Sequence, residues 1–225
     1  MGDRANRYAS LHRLAETIAI CLFVVLSIGC AWRLTGAAPA WAFAFAALAA
    51  WLATDFFSGL VHWAGDTWGD AQTPYVGAWF IRPFREHHDD PRAMTKHDFV
   101  ETNGSSAIAG LPLLIVALAT PVDGPLHASM AAFLFFLALG GLIANQCHKW
   151  AHMKDAECPQ LVRLAQRARL ILRPETHRRH HARPHDSYYC TANGWTNLPL
   201  ENMGFFRGTE RLLAWLGQAQ ARRDR

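Results

Sequence analysis

Twelve histidines are spread over the 225 residues, and most fall at spacings that suit metal binding. The densest stretch, RPETHRRHHARPHDSYY at 173–189, holds His177, His180, His181 and His185. NQCHKWAH places His148 and His152 one helical turn apart, FREHH sets His87 beside His88, and VHWAGD sets His62 four residues before Asp66. On a helix, residues three or four apart share a face, so such pairs present their donors together. Imidazoles with some carboxylate suit iron, zinc, copper or nickel. They do not suit magnesium or calcium, which take oxygen ligands. These donors exceed what one four-coordinate zinc can use, and the surplus points to two metals. Two irons can activate dioxygen and remove hydrogen from an unactivated C–H bond, while the protein supplies position and exclusion. The predicted metal ligands are His62, Asp66, His87, His88, His148, His152, His177, His180, His181 and His185. Catalysis is expected to rest on the same set without Asp66 and His185. Asp66 either ligates or orients a neighbouring imidazole, and His97 stands as a further candidate on either footing.

Elements that position these residues follow from hydropathy. Mean hydropathy is only +0.01, but apolar and polar stretches are sharply segregated. Four apolar runs, at about 17–33, 40–62, 105–121 and 128–147, approach the roughly 20 residues that span a bilayer. Several of the nine tryptophans sit at the ends of these runs, as in an aromatic belt. The expected fold is all-α: one domain over 1–225, a four-helix transmembrane bundle with a cytoplasmic histidine-rich cap from 62–103 and 148–207. Residues 161–172 mix leucines with arginines and read as one of its amphipathic interfacial helices.

Four spans put both termini on one side, and Arg4, Arg7 and Arg13 favour the cytoplasm. From Lys149 onward there are 14 Lys/Arg against 7 Asp/Glu. This topology collects every histidine argued over above on the cytoplasmic face and leaves His127 opposite. The net charge of +4 is not a nucleic-acid signal, because the cations gather next to the bilayer. Asp55 interrupts the second run; it either caps locally near the headgroups or partners a histidine.

Five cysteines without a C-x-x-C pair argue against a disulfide framework, and Cys147 reads as a packed small hydrophobe. The N-terminus lacks a clean signal peptide, and Asn6 breaks the myristoylation pattern. A metal transporter would bury its ligands near the midplane of broken helices. A haem protein would use only a few of these histidines. A site at the mouth of a bundle suits a lipid chain, with Arg173, Arg178, Arg179 and Arg183 either at a phosphate or on a membrane-facing surface.

The segments HWAGDTWG (62–69), FIRPFREHH (80–88), KHDFVETNG (96–104), HKWAH (148–152) and HRRHHARPH (177–185), with GWTNLPLENMGFF towards the C-terminus, are similar to the Kua, or transmembrane protein 189, family. The resemblance covers about residues 50–207. It implies a membrane desaturase with a histidine-bound diiron centre, and it adds His97 to the matched positions. It further implies conversion of a plasmanyl alkyl ether to the vinyl ether of a plasmalogen, consuming dioxygen and electrons from a ferredoxin or cytochrome b5-type donor. The plant branch of the family implies the alternative, desaturation of an ester-linked acyl chain of phosphatidylglycerol near its carboxyl end. A related diiron lipid hydroxylase would use a similar constellation. Alanine-rich helices and short termini resemble bacterial members, so the expected location is a bacterial inner membrane, with the histidine-rich face and both termini cytoplasmic on the charge argument above. Oligomeric state is left open.

Overall fold

The computed structural model describes residues 2–217, with side chains from Ser10 onward except that of Trp79. Arg4 and Arg7, used above for orientation, lie outside the described side chains. Among the described residues nine α-helices follow one another: α1 (Gly2–Leu34), α2 (Ala40–Thr67), α3 (Arg82–Asp89), α4 (Phe99–Ala119), α5 (Pro125–Ala151), α6 (Gln160–Arg167), α7 (Pro174–His180), α8 (Asn197–Asn202) and α9 (Phe205–Trp215). A π-helical turn at Gly77–Ile81 precedes α3, and a 3-10 turn at Ala93–Lys96 follows it.

Four segments, Ser10–Leu34, Ala40–Thr67, Phe99–Ala119 and Pro125–Ala151, are long and apolar enough to cross a bilayer. Their outward residues are large and apolar: Leu22, Val25, Ile28 and Trp32 on α1, and Trp41, Phe45 and Leu48 on α2 are all exposed. Apolar surface of that extent belongs against lipid rather than water. The chain is an integral, multi-pass membrane protein.

Residues fall into two compact units. The first holds the chain up to Thr54 together with His97–Gln146. Its core is built from Phe23, Cys30, Leu114 and Ala138. Here α1 and α4 approach closely at Gly104, where an added Cβ would lie 2.5 Å from Glu16; small residues at such crossings let membrane helices touch. Two of its buried polar side chains find partners, as a low-dielectric setting favours. Buried Glu16 accepts from the Ser105 hydroxyl at 3.0 Å, and the Asn103 amide donates to Gln146 at 3.1 Å. Asp98 caps α4 by accepting from the Glu101 N–H at 3.0 Å.

The second unit holds Asp55–Lys96 and the chain from Cys147 onward. It therefore contains the last turns of α2 and α5 along with the short helices, around a core of Trp63, Tyr189, Cys190, Leu200 and Phe206. The leucine–arginine run expected to be helical over 161–172 is shorter. Helix α6 ends at Arg167, the chain turns left-handed at Arg169 (φ 59), and the Leu172 N–H goes to the Ala192 carbonyl at 2.9 Å. Its leucines do face outward, Leu161 and Leu164 both being exposed.

Candidate metal centre

Helix α2 continues through Gly65 to Thr67, so His62 and Asp66 share a face, as spacing alone suggests. Pro83 stands in the first turn of α3, a position where its missing N–H costs nothing, and the helix ends with His87 and His88. His148 lies in the last turn of α5. His152 sits just beyond, held by an N–H bond to the Lys149 carbonyl at 3.1 Å. Pro174 opens α7, which carries His177 and His180 and is closed by His181.

These residues form two donor groups. His87, His148, His152, His177 and His181 make one, and His62, Asp66, His88 and His180 make the other; within each, the donor atoms lie within 4.8 Å of one another. The division follows helical geometry. Positions 177 and 181 are one turn apart and join the first group, while 180 points to the second. His87 and His88, about 100° apart on a helix, are likewise split between the two.

In the five-histidine group, Nε2–Nε2 distances are 2.8 Å for His148–His177, 3.3 Å for His148–His152, 3.0 Å for His87–His181 and 3.1 Å for His177–His181. In the other, Asp66 oxygens lie 3.5 Å from His62 Nε2, 3.3 Å from His88 Nε2 and 3.5 Å from His180 Nε2. Ligands about 2.1 Å from one ion stand roughly 3.0–3.4 Å apart in octahedral or tetrahedral arrangement. The observed spacings, 2.8–3.5 Å, centre on that range and pass it slightly at both ends. His62 Nε2 and Asp66 Oδ2 are buried without a hydrogen-bond partner, which is costly unless a cation meets them. The two groups are consistent with two iron ions, one among five nitrogens and one among three nitrogens and a carboxylate.

Outer contacts fix the rings. His62 Nδ1–H donates to the Tyr189 carbonyl at 3.2 Å and His180 Nδ1–H to the Ser187 carbonyl at 2.9 Å. That tautomer turns each Nε2 lone pair into the cluster. Burial, reinforced by neighbouring imidazoles, holds His87, His177 and His180 well below the ordinary histidine range. The same causes bring His152 down to about 4 and His181 to about 3. Neutral imidazole is the form a metal binds.

Several candidates stand apart from the two groups. His185 is in neither; its Nδ1–H donates to the His180 carbonyl at 3.2 Å, and its ring lies 4.4 Å from that of His88. His97 belongs to the first unit, 3.5 Å from Glu101, and is in neither group. His127 accompanies Asp123 at 2.6 Å, also in the first unit. Arg173 and Arg178 lie near Glu175, at 3.2 and 3.6 Å, and Arg179 donates to the Tyr188 hydroxyl at 2.7 Å.

Sequence reasoning left Asp55 between two roles, and the structure gives it another. It is fully buried and accepts from the backbone N–H groups of Ala192, Asn193, Gly194 and Thr196 at 2.7–3.2 Å, and from the Thr196 hydroxyl at 2.6 Å. Ser58 accepts from the Thr191 N–H at 2.9 Å. Asn197 brackets Cys190, accepting its N–H and donating to its carbonyl. Asp55, Ser58, Gly59 and His62 thus form one stripe of α2 that docks the 187–197 strand of chain. At Gly59 an added Cβ would lie 2.4 Å from Cys190 Sγ, so only glycine permits this approach. No residue of this brace announces itself by type, because its partners are mostly backbone.

The lipid desaturase domain pattern matches residues 51–224. The chain belongs to the lipid desaturase family. The five-block resemblance and the enzyme class it implied are borne out. Plasmanylethanolamine desaturase of Myxococcus xanthus is 45% identical over 222 residues, 98% of this chain and 78% of that protein. Plasmanylethanolamine desaturase 1 of Mus musculus is 44% identical over 178 residues, 77% of this chain and 65% of that protein. Fatty acid desaturase 4-like 1, chloroplastic, of Arabidopsis thaliana is 33% identical over 172 residues, and this lipid desaturase aligns with 56% of its length. No solved structure matches the chain.

Proposed function

We propose that this lipid desaturase introduces the vinyl-ether double bond into the sn-1 alkyl chain of a plasmanyl phospholipid, forming a plasmalogen. The reading is carried by the paired donor groups, in a chain 45% identical to a plasmanylethanolamine desaturase. When bound, two irons supply dioxygen activation and hydrogen removal from an unactivated carbon. His87, His148, His152, His177 and His181 would hold one, and His62, Asp66, His88 and His180 the other. Tyr189 and Ser187 keep His62 and His180 in the ligating tautomer through their carbonyls. His185 braces His180 and His88 from outside the donor groups. Overall, two hydrogens leave adjacent carbons of the alkyl chain, an outside donor adds two electrons with two protons, and dioxygen leaves as two waters.

The donors of α2 and α5 lie on the final turns of bilayer-length helices, a placement that suits chemistry close to a lipid headgroup. We infer that the electrons come from a ferredoxin or cytochrome b5-type protein, and that the histidine-bearing face and both termini lie in the cytoplasm of a bacterial inner membrane. Cysteines placed at Asp90 and Gln160 should then label from the cytoplasm and one at Gly124 from the other side. Labelling of 90 and 160 from opposite faces overturns that orientation.

The substrate is tested by expressing the chain, with iron and donor verified, in a host lacking plasmalogens and fed an alkylglycerol. Mild acid hydrolyses vinyl ethers to fatty aldehydes, so mass spectrometry before and after acid identifies the product. Acid-labile product that disappears in His181→Ala is the expected outcome. Unchanged ether lipid beside a new double bond in phosphatidylglycerol overturns the substrate assignment while keeping the desaturase.

A further inference from the structure

Helix α9 has two unlike faces. Its inner face packs on the last turns of α2: the Phe205 ring lies 5.6 Å from Phe56, Phe206 lies 5.3 Å from Trp63, and Trp63 Nε1–H donates to Glu210 at 2.9 Å. Its outer face carries Leu212, Trp215 at 80% exposure and, just past its end, Leu216, flanked by exposed Arg207 and Arg211. The adjoining α8 segment adds exposed Leu198 and Met203. Facing water, such a patch would be an aggregation liability.

Helix length sets the depth of this patch. At about 1.5 Å per residue, α2 is about 42 Å long, close to the full thickness of a bilayer with its headgroups. Phe56 and Trp63 stand roughly 24 and 35 Å from its start. With about 30 Å of hydrocarbon centred in that length, the hydrocarbon ends about 36 Å from the start, so Trp63 stands at the boundary with the headgroups and Phe56 about two turns deeper. Phe57 and Val61, beside the anchors on α2, keep 49% exposure each, so lipid-facing surface continues to that level. Leucine and tryptophan flanked by arginine is the composition of a helix lying in the interface.

We propose that α9 lies in the headgroup layer of the bilayer that α2 crosses. Leu212, Trp215 and Leu216 enter the acyl region, and Arg211 meets lipid phosphates, beside Arg207, which pairs with Glu201. Phe206 packs on Tyr189 at 4.9 Å, and Tyr189 on His180 at 5.2 Å. A helix seated in lipid therefore backs the wall of the Asp66-containing donor group. The placement stands on packing and helix length and is independent of the reaction assigned above.

The test uses the full chain in nanodiscs of phosphatidylethanolamine and phosphatidylglycerol. Cys21, the one exposed cysteine, is replaced by serine. A spin label is then placed singly at Leu212→Cys, Trp215→Cys or, as an aqueous control, Asp90→Cys. Both α9 sites are already exposed, so labelling does not disturb the core. Collision with dissolved oxygen and with a water-soluble nickel chelate is read by power saturation. The expected oxygen-to-nickel ratio at 212 and 215 is several-fold that at 90. A ratio equal to that at 90 places α9 in water and overturns the proposal. Low collision with both reagents also overturns it, with dipolar broadening identifying a second copy as the occupant.

Discussion

Removing the Asp55 carboxylate tests whether a residue that touches no donor group controls one of them. Asp55→Ala strips the acceptor from four backbone N–H groups and a hydroxyl in the 192–196 loop. A buried N–H left unpaired costs about 1–3 kcal/mol. Four such groups give a loss on the order of 4 kcal/mol even after relaxation, a large share of the roughly 5–15 kcal/mol that holds a domain together. Asp55→Asn keeps an oxygen for Ala192, Asn193 and Gly194 but turns an amide N–H₂ towards the Thr196 N–H. Its loss should be about 2 kcal/mol. The loop continues into Tyr189 and Ser187, whose carbonyls orient His62 and His180. Loosening it should therefore weaken iron binding by about 10–100-fold at the Asp66-containing group, as for other outer partners of metal ligands. The five-histidine group has no ligand on that loop. Thermal unfolding in detergent should rank wild type above Asp55→Asn above Asp55→Ala, and elemental analysis with Mössbauer spectroscopy should show preferential loss of one iron environment. Unchanged thermal stability in Asp55→Ala, or equal loss of both irons from a folded chain, would refute the reasoning.

Other expectations follow from the same geometry. His88→Ala leaves only His62, Asp66 and His180 in its group, whereas His87→Ala leaves four imidazoles in its own; both should abolish turnover, but iron measured per chain should fall further in His88→Ala. The iron-free protein should lose stability in acid. Its buried histidines stay neutral when folded, while the unfolded chain takes up protons below the ordinary value of 6.5, so their contribution is complete above that pH and is lost as pH falls towards about 4 for His152 and about 3 for His181. A melting temperature that rises between pH 7 and 5 would contradict this. Gly59→Ala should cost about 1–3 kcal/mol by forcing Cys190 away, while Gly141→Ala, with open space at its Cβ, should be neutral or stabilising by thermal denaturation.

The clustering of donors was legible because side chains at helical spacing advertise themselves. His148 and His152, or His177 and His181, need only their spacing and a helix to meet, and hydropathy supplies the helices. What resisted reading depends on where the chain turns. His185 shares the densest motif, yet α7 closes at His181 and His185 sits left-handed (φ 63), outside both groups. The leucine–arginine run at 161–172 keeps a helical pattern after its backbone has turned at Arg169 to pair Leu172 with Ala192. Asp55 was visible as an anomaly in an apolar run, but its partners are backbone N–H groups, which exist at every non-proline residue and leave no mark in a sequence.

The two donor groups are unlike, and that difference constrains how the site is built. Only one contains a carboxylate, and it is also the one with rings oriented by the Ser187 and Tyr189 carbonyls. The other draws its donors from α3, the end of α5 and α7; burial and neighbouring imidazoles push them down, and no carboxylate stands among them. An ion in the Asp66 group would thus be partly neutralised by protein charge, and one in the five-histidine group would be held by neutral nitrogen alone. Charge on a ligand set shifts redox preference towards the oxidised ion. The Asp66 group should therefore hold the iron that is harder to reduce. Stepwise reduction of the loaded protein, followed by Mössbauer spectroscopy, should reduce first the environment that survives in His88→Ala. Prior reduction of the environment missing from that variant would show that the carboxylate does not set the order.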